Sequence, residues 1–196
     1  MLLDSAVIDF NIIILHFCGE LWGNVEENAY LWHRIPIIDV RMRFLGSIEA
    51  KTDVKGRAFL PAIFRKELQD SYEEYLIMRK DVFQPCLVLY PASVWNRQTE
   101  ALRSRLNRWD SRHQQIFRQF VADAEVVSLD ANGRFLIPKR YMKMAGISQE
   151  IKFIGMDDTI EIWSRENADK PFMEPEEFGV SLEEIMKQDL NGGLAV

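Results

Sequence analysis

Asp53-Val54-Lys55-Gly56-Arg57-Ala58-Phe59-Leu60-Pro61 returns 77 residues later as Asp130-Ala131-Asn132-Gly133-Arg134-Phe135-Leu136-Ile137-Pro138. Asp, Gly, Arg and Pro coincide. The likeness continues outward. A helical stretch, Ala62 to Leu68, an apolar run, Tyr75 to Met78, and another, Cys86 to Tyr90, follow the first copy. Lys139 to Ala145, Ile151 to Ile154 and Ile160 to Trp163 follow the second. Both copies end on an aromatic residue and a turn residue, Tyr90-Pro91 and Trp163-Ser164. A repeat of this kind signals one structural unit used twice. Each copy reads as strand, tight turn, strand, short helix, strand, strand, which makes the class α+β.

The turn at the head of each copy has its own chemistry. Lys55-Gly56 and Asn132-Gly133 read as hairpin pairs, and Asn-Gly predicts a type I′ turn with positive φ at both central positions. Asp53 and Asp130 suit the acceptance of backbone N–H groups at a turn. Gly56 and Gly133 permit the left-handed conformation. Pro61 and Pro138 end the strand and suit the start of a helix, where no backbone donor is needed. Arg57 and Arg134 then project from a hairpin, and a guanidinium fork suits phosphates and guanine edges. Lys51, Lys55, Lys139 and Arg140 flank them. The competing reading is that each Asp pairs with its Arg only to brace the turn. Spacing alone leaves both open.

Between the copies lies a helical segment, roughly Ser93 to Val121, with Ser93 as the expected N-cap. Trp95, Leu102, Leu106, Trp109, Ile116, Phe117 and Phe120 recur near helical spacing, and Asn107 to Ser111 has turn chemistry, so two helices are expected. Arg97, Arg103, Arg105, Arg108, Arg112 and Arg118 oppose only Glu100 and Asp110 there. That is a solvated face, or a surface turned toward phosphates or toward another protomer.

The chain has 196 residues, 47 % of them apolar and 28 % charged, ordinary for a globular protein and long enough to bury a core. The net charge of −6 is unevenly spread. Residues 1–41 hold 2 basic and 6 acidic groups, residues 42–163 hold 19 and 16, and residues 164–196 hold 3 and 8. A mildly basic middle between acidic ends is compatible with nucleic-acid binding despite the total. The apolar stretch from Ala6 to Trp22 is interrupted by Asp9, Asn11 and His16; its clean run, Ile12 to Leu15, is too short to span a bilayer, and the basic start of a signal peptide is missing. Cys18 and Cys86 are far apart, so no disulfide framework or zinc site is read, and a reducing cytoplasm fits.

The duplicated D-x-x-G-R with its apolar strand and proline resembles the SpoVT/AbrB-type domain. Two copies joined by a helical pair resemble the MraZ family of bacterial transcriptional regulators. Met42-Arg43-Phe44-Leu45-Gly46, Thr52 to Arg57, Leu87 to Pro91 with Trp95, Phe117 to Phe120, Leu129 to Pro138 and Ile160 to Ser164 carry the likeness. It spans about Met42 to Arg165. The resemblance implies two pseudo-symmetric swapped-hairpin β-barrel repeats. It also implies a ring-like homo-oligomer on repeated double-stranded DNA sites upstream of the division and cell-wall gene cluster, acting as a repressor in the cytoplasm and on the nucleoid. Arg57 and Arg134 become the DNA contacts, with Lys51, Lys55, Lys139 and Arg140 beside them; Asp53, Gly56, Asp130 and Gly133 become turn positioners. The expected organisation is repeat 1 at 46–93, a helical linker at 94–122, repeat 2 at 123–166 and an acidic tail at 167–196 with a short helical pattern from Leu182 to Leu190. Residues 1–41 fall outside the likeness, which makes Met42 the expected initiator; the alternative is a genuine extension.

An enzyme is not expected. His16, His33 and His113 lack ligand spacing, there is no GxSxG, P-loop or GxGxxG, and Asp157-Asp158 reads as a hairpin turn rather than a catalytic dyad. No catalytic residue, metal, cofactor, small-molecule substrate or membrane association is therefore expected. The rival readings are an antitoxin-like interaction module and an oligomer in which the arginines only brace turns.

Overall fold

The computed structural model of the chain describes residues 43–170 and 172–191. The expectations for residues 1–41 and for Met42 as initiator fall outside that range. In chain order the elements are β1 (Ser47–Lys51), β2 (Arg57–Phe59), α1 (Ala62–Asp70), β3 (Leu76–Lys80), β4 (Leu87–Pro91), α2 (Ala92–Ser104) and α3 (Ser111–Ala122). Then come β5 (Glu125–Val127), β6 (Arg134–Leu136), α4 (Lys139–Met144), β7 (Glu150–Met156), β8 (Thr159–Ser164), α5 (Arg165–Ala168) and α6 (Pro175–Asn191). The class is α+β, with antiparallel pairing throughout.

A six-stranded sheet runs β1-β7-β8-β4-β3-β5, and β2 and β6 form a separate two-stranded ribbon. The first strand of each copy pairs with the third strand of the other: β1 with β7, and β5 with β3. The two last strands, β4 and β8, meet at the centre. Neither copy therefore completes a sheet alone, and the hydrophobic core is shared. Leu87, Leu89, Ile160 and Ile162 are wholly buried at that centre. Phe44 meets Phe64 edge-on at 5.6 Å, and Phe135 meets Phe153 at 6.3 Å. Burying each such side chain contributes roughly 1.5–3 kcal/mol.

Three helices start in the same way. Pro61, Pro91 and Pro138 stand at the N-cap positions of α1, α2 and α4 with φ/ψ of −51/139°, −53/148° and −58/145°. Proline gives up no donor there and leads the chain out of a strand. Ser93 is thus not the N-cap of α2; it lies inside the first turn, and its N–H reaches the Glu73 carboxylate at 3.4 Å. Asp110 caps α3 instead, its carboxylate accepting the His113 N–H at 2.9 Å.

The helical pair is anchored to the sheet by aromatic contacts. Trp95 lies edge-on to Tyr90 at 5.5 Å and stacks on Phe120 at 5.4 Å. The buried Arg79 guanidinium sits 4.2 Å from the Phe120 ring centre. Trp109 departs from the expected apolar face. It is 96 % exposed, because it lies in the turn between α2 and α3 and its indole has no facing layer. Asp157 and Asp158 form the two-residue loop of the β7–β8 hairpin, Asp157 at φ 62°. The last helix is longer than its pattern suggests: α6 begins at Pro175, where proline suits a helix start, rather than at Leu182.

Candidate nucleic-acid interface

The two D-x-x-G-R turns close alike. Gly56 N–H donates to the Asp53 carbonyl at 2.9 Å and Asp53 N–H to the Arg57 carbonyl at 2.8 Å. In the second copy Gly133 N–H donates to the Asp130 carbonyl at 2.8 Å and Asp130 N–H to the Arg134 carbonyl at 2.7 Å. Only the glycines have positive φ, 84° at Gly56 and 78° at Gly133. The type I′ expectation is therefore corrected: Lys55 and Asn132 keep negative φ, and each loop is the three-residue kind with a left-handed glycine in last place. The aspartates explain the choice. Asp53 Oδ1 accepts the N–H groups of Lys55 at 2.8 Å and Arg57 at 2.9 Å; Asp130 Oδ1 accepts those of Asn132 and Arg134, both at 2.9 Å. An Asx cap over two donors stabilises this loop over the shorter one.

The other carboxylate oxygen holds the arginine. Arg57 Nε and Nη2 both lie 2.7 Å from Asp53 Oδ2, and Arg134 Nε lies 2.8 Å from Asp130 Oδ2. The bracing reading is thus correct as geometry. It does not bury the cations: the Arg57 side chain stays 39 % exposed and that of Arg134 29 %. Hydrogen bonds from the Arg57 N–H, together with those from its guanidinium and from the Lys55 N–H, hold Asp53 at a pKa of about 2. The Arg134 N–H lowers Asp130 in the same way.

The ribbon then joins the two arginines. Arg57 faces Leu136, Ala58 faces Phe135, and Phe59 faces Arg134. Ala58 and Phe135 point into the core, so Arg57, Leu136, Phe59 and Arg134 share the outward face. Phe59 is 57 % and Leu136 50 % exposed, and the Arg134 guanidinium lies 5.7 Å from the Phe59 ring centre.

The surroundings of the two turns differ in charge. Beside the first turn a concavity of about 460 Å³ is lined by Lys55, Lys139 and Lys143 with Ser148 and Gln149. Beside the second, one of about 250 Å³ is lined by Arg65 together with Glu73 and Glu74. Arg65 donates to the Asn132 carbonyl at 3.2 Å. Lys55 and Lys139 are thus brought together, whereas Lys51 and Arg140 lie outside that lining. Lys51 pairs with Glu150 at 3.0 Å beside Arg165, and Arg140 pairs with Glu125 at 2.6 Å. Sequence reading missed Lys143, although it stands one helical turn from Lys139, and it missed Phe59 and Leu136. Their place beside the arginines depends on the β2–β6 register, which no local pattern reveals.

A family model described as "MraZ protein, putative antitoxin-like" matches residues 43–117 and 120–180. The chain belongs to the MraZ family. A relative from Phocaeicola vulgatus, named Transcriptional regulator MraZ, is 67 % identical over 150 residues, covering 76 % of this chain and 97 % of the relative. The protein of that name from Bacteroides thetaiotaomicron is 63 % identical over 148 residues, covering 76 % and 95 %. A more distant MraZ, from Christiangramia forsetii, is 32 % identical over 149 residues, covering 76 % and 96 %. Among the described residues no group of three or more His, Cys, Asp or Glu is placed to hold a metal ion. Nor is any described helix long and apolar enough to cross a membrane.

Proposed function

We propose that this protein is a transcriptional regulator that binds double-stranded DNA through the outward face of the β2–β6 ribbon, with Arg57 as the leading contact and Arg134 as the second. The observation that carries the reading is the pairing of both arginines on one rigid ribbon, each held by an aspartate beneath it. Such preorganisation lowers the entropy of recognition, and a guanidinium suits a phosphate or a guanine edge. The lysine-lined concavity beside the first turn favours Arg57, with Lys55, Lys139 and Lys143 near the sugar-phosphate backbone. Asp53, Gly56, Asp130 and Gly133 position the turns.

The shared names of the relatives support regulation of transcription. In this reading the interleaved strands make two pseudo-symmetric swapped-hairpin barrel repeats, 46–93 and 123–166, with 94–122 as linker and 167–196 as tail. Several protomers engage neighbouring promoter repeats together, which raises avidity by roughly 10²–10⁴ without new contacts. Occupancy of a promoter of the division and cell-wall gene cluster then excludes polymerase, so the protein acts as a repressor on the nucleoid. The test is a salt titration of binding to DNA upstream of its own gene. Specific, salt-sensitive binding that a folded Arg57→Ala variant loses is the expected result; equal binding by that variant overturns the assignment.

A second reading, an antitoxin-like interaction module, is favoured by the family's description and by the exposed α6. Stable co-purification of a single partner protein, with no DNA binding, would replace the first reading by this one.

A further inference from the structure

The outward face of the β2–β6 ribbon breaks the usual alternation. An antiparallel strand that buries one side normally turns polar side chains to the other. The inward pair is ordinary: Ala58 and Phe135 are 1 % and 2 % exposed. Outward, two of the four side chains, Phe59 and Leu136, are large and apolar, and both stay at least half exposed. Neither joins the shared core.

The register fixes a pattern on this face. Arg57 stands opposite Leu136, and Phe59 opposite Arg134. The arginines therefore occupy one diagonal and the apolar pair the other. Side chains directly across a ribbon lie about 5 Å apart, and those two residues apart on one strand about 7 Å. The second spacing matches about two base steps of roughly 3.4 Å. Asp53 and Asp130 hold the Nε atoms of the two arginines, so the face is preorganised.

A matching surface offers acceptors along one diagonal and small apolar groups along the other. The major groove of double-stranded DNA supplies both. It is about 12 Å wide and admits a two-stranded ribbon. Guanine presents its N7 and O6 acceptors there, and the C5-methyl of thymine is the apolar group among the base edges.

We infer that Phe59 and Leu136 contact thymine methyl groups in the major groove. The ribbon then selects sites in which thymine adjoins the base pairs that face Arg57 and Arg134. The assignment deepens the proposed DNA binding and rests on it. Arginines alone read guanine or phosphate; the apolar pair adds discrimination between thymine and cytosine, which has no methyl. The Arg134 guanidinium lies 5.7 Å from the Phe59 ring centre, so removing that ring also disturbs an arginine. The decisive change is therefore made on the DNA.

The full chain is titrated by fluorescence anisotropy with the DNA upstream of its own gene, prepared once with thymine and once with uracil, which lacks only the C5-methyl. Excess unlabelled unrelated DNA suppresses sequence-independent phosphate binding. Wild type is expected to bind the thymine DNA about fourfold or more tightly, the effect of burying one methyl group. Phe59→Ser with Leu136→Ser is expected to bind both DNAs alike and more weakly than wild type binds thymine DNA. Circular dichroism checks that its fold persists, and the wild-type comparison stands without it. Equal binding of both DNAs by wild type overturns the inference. So does a folded double variant that keeps the preference for thymine, as an effect of DNA shape would. Where wild type ignores the methyl yet loses binding through Arg57→Ala, the DNA reading survives and the apolar pair serves another partner. Where wild type binds neither DNA, both readings fall.

Discussion

Ile137 donates its backbone N–H to the carbonyl of Gly56 at 2.8 Å, so the strand leaving the second turn is tied to the glycine of the first. The reciprocal bond runs from Leu60 N–H to the Gly133 carbonyl at 3.0 Å. The two turns therefore brace one another, and a disturbance at either is felt at both arginines.

Glycine substitutions should separate the two turns. A Cβ at Gly56 would lie 2.7 Å from the Ile137 carbonyl oxygen, which is backbone and cannot step aside, and φ is 84°. At Gly133 the obstacle is the end of the flexible Arg65 side chain, with φ 78°. Left-handed strain at a non-glycine costs on the order of 1–3 kcal/mol. Gly56→Ala is expected to cost that plus the clash, and Gly133→Ala close to the strain alone. Urea unfolding of both variants checks the order.

Arginine variants should separate binding from folding. Arg57→Ala is expected to lower DNA affinity about tenfold or more, as loss of a bidentate contact worth about 1–3 kcal/mol would. Arg134→Ala is expected to lower it less, because Glu73 and Glu74 stand near its turn. Melting curves should move little for either. Filter binding or fluorescence anisotropy at several salt concentrations supplies the comparison; unfolding of Arg57→Ala would return the arginine to a purely bracing role.

Acid should release the first turn late. Asp53 is held near 2, below its ordinary 3.8, first by the Arg57 N–H. A depressed carboxylate stabilises the fold above its unfolded pKa, and that contribution is lost as pH falls through the folded one. The turn should therefore stay locked at pH 4 and open between about 4 and 2. In Arg57→Ala the carboxyl should titrate higher yet still below 3.8, since the backbone donor remains. Carboxyl chemical shifts followed by NMR give both midpoints.

Tyr141 offers a test of the shared core. Its ring is 1 % exposed, and its hydroxyl donates to the Asp123 carbonyl at 2.6 Å, tying α4 to the end of α3. Tyr141→Phe removes that hydrogen bond from the carbonyl of exposed Asp123, at a cost of about 0.5–1.5 kcal/mol. A lower midpoint in urea with unchanged slope is the expected signature; an unchanged midpoint would mean that water replaces the hydroxyl.

Much of the site was legible because its chemistry is local. Asp53 and Arg57 are four residues apart, so their hydrogen bonds and ion pair are a property of one loop, and the same holds for Asp130 and Arg134. The loop class was misread because the cue from Asn132-Gly133 competes with the aspartate's two accepted N–H groups, and the latter win. Lys51 and Arg140 are near the turns in sequence, and folding gives them the partners Glu150 and Glu125, which no local pattern reveals. Trp109 counted as apolar spacing but stands at a helix junction.

From its residues alone this chain determined a duplicated α+β unit, two arginine-bearing turns and a basic middle, since repeats, caps and turn residues act over a few positions. Tertiary structure alone decided that β1 pairs with β7 and β3 with β5, and that Arg57 and Arg134 share one face. It also decided that lysines surround one turn while glutamates approach the other. Those outcomes depend on register between segments tens of residues apart, where a shift of one residue would turn every side chain to the opposite face.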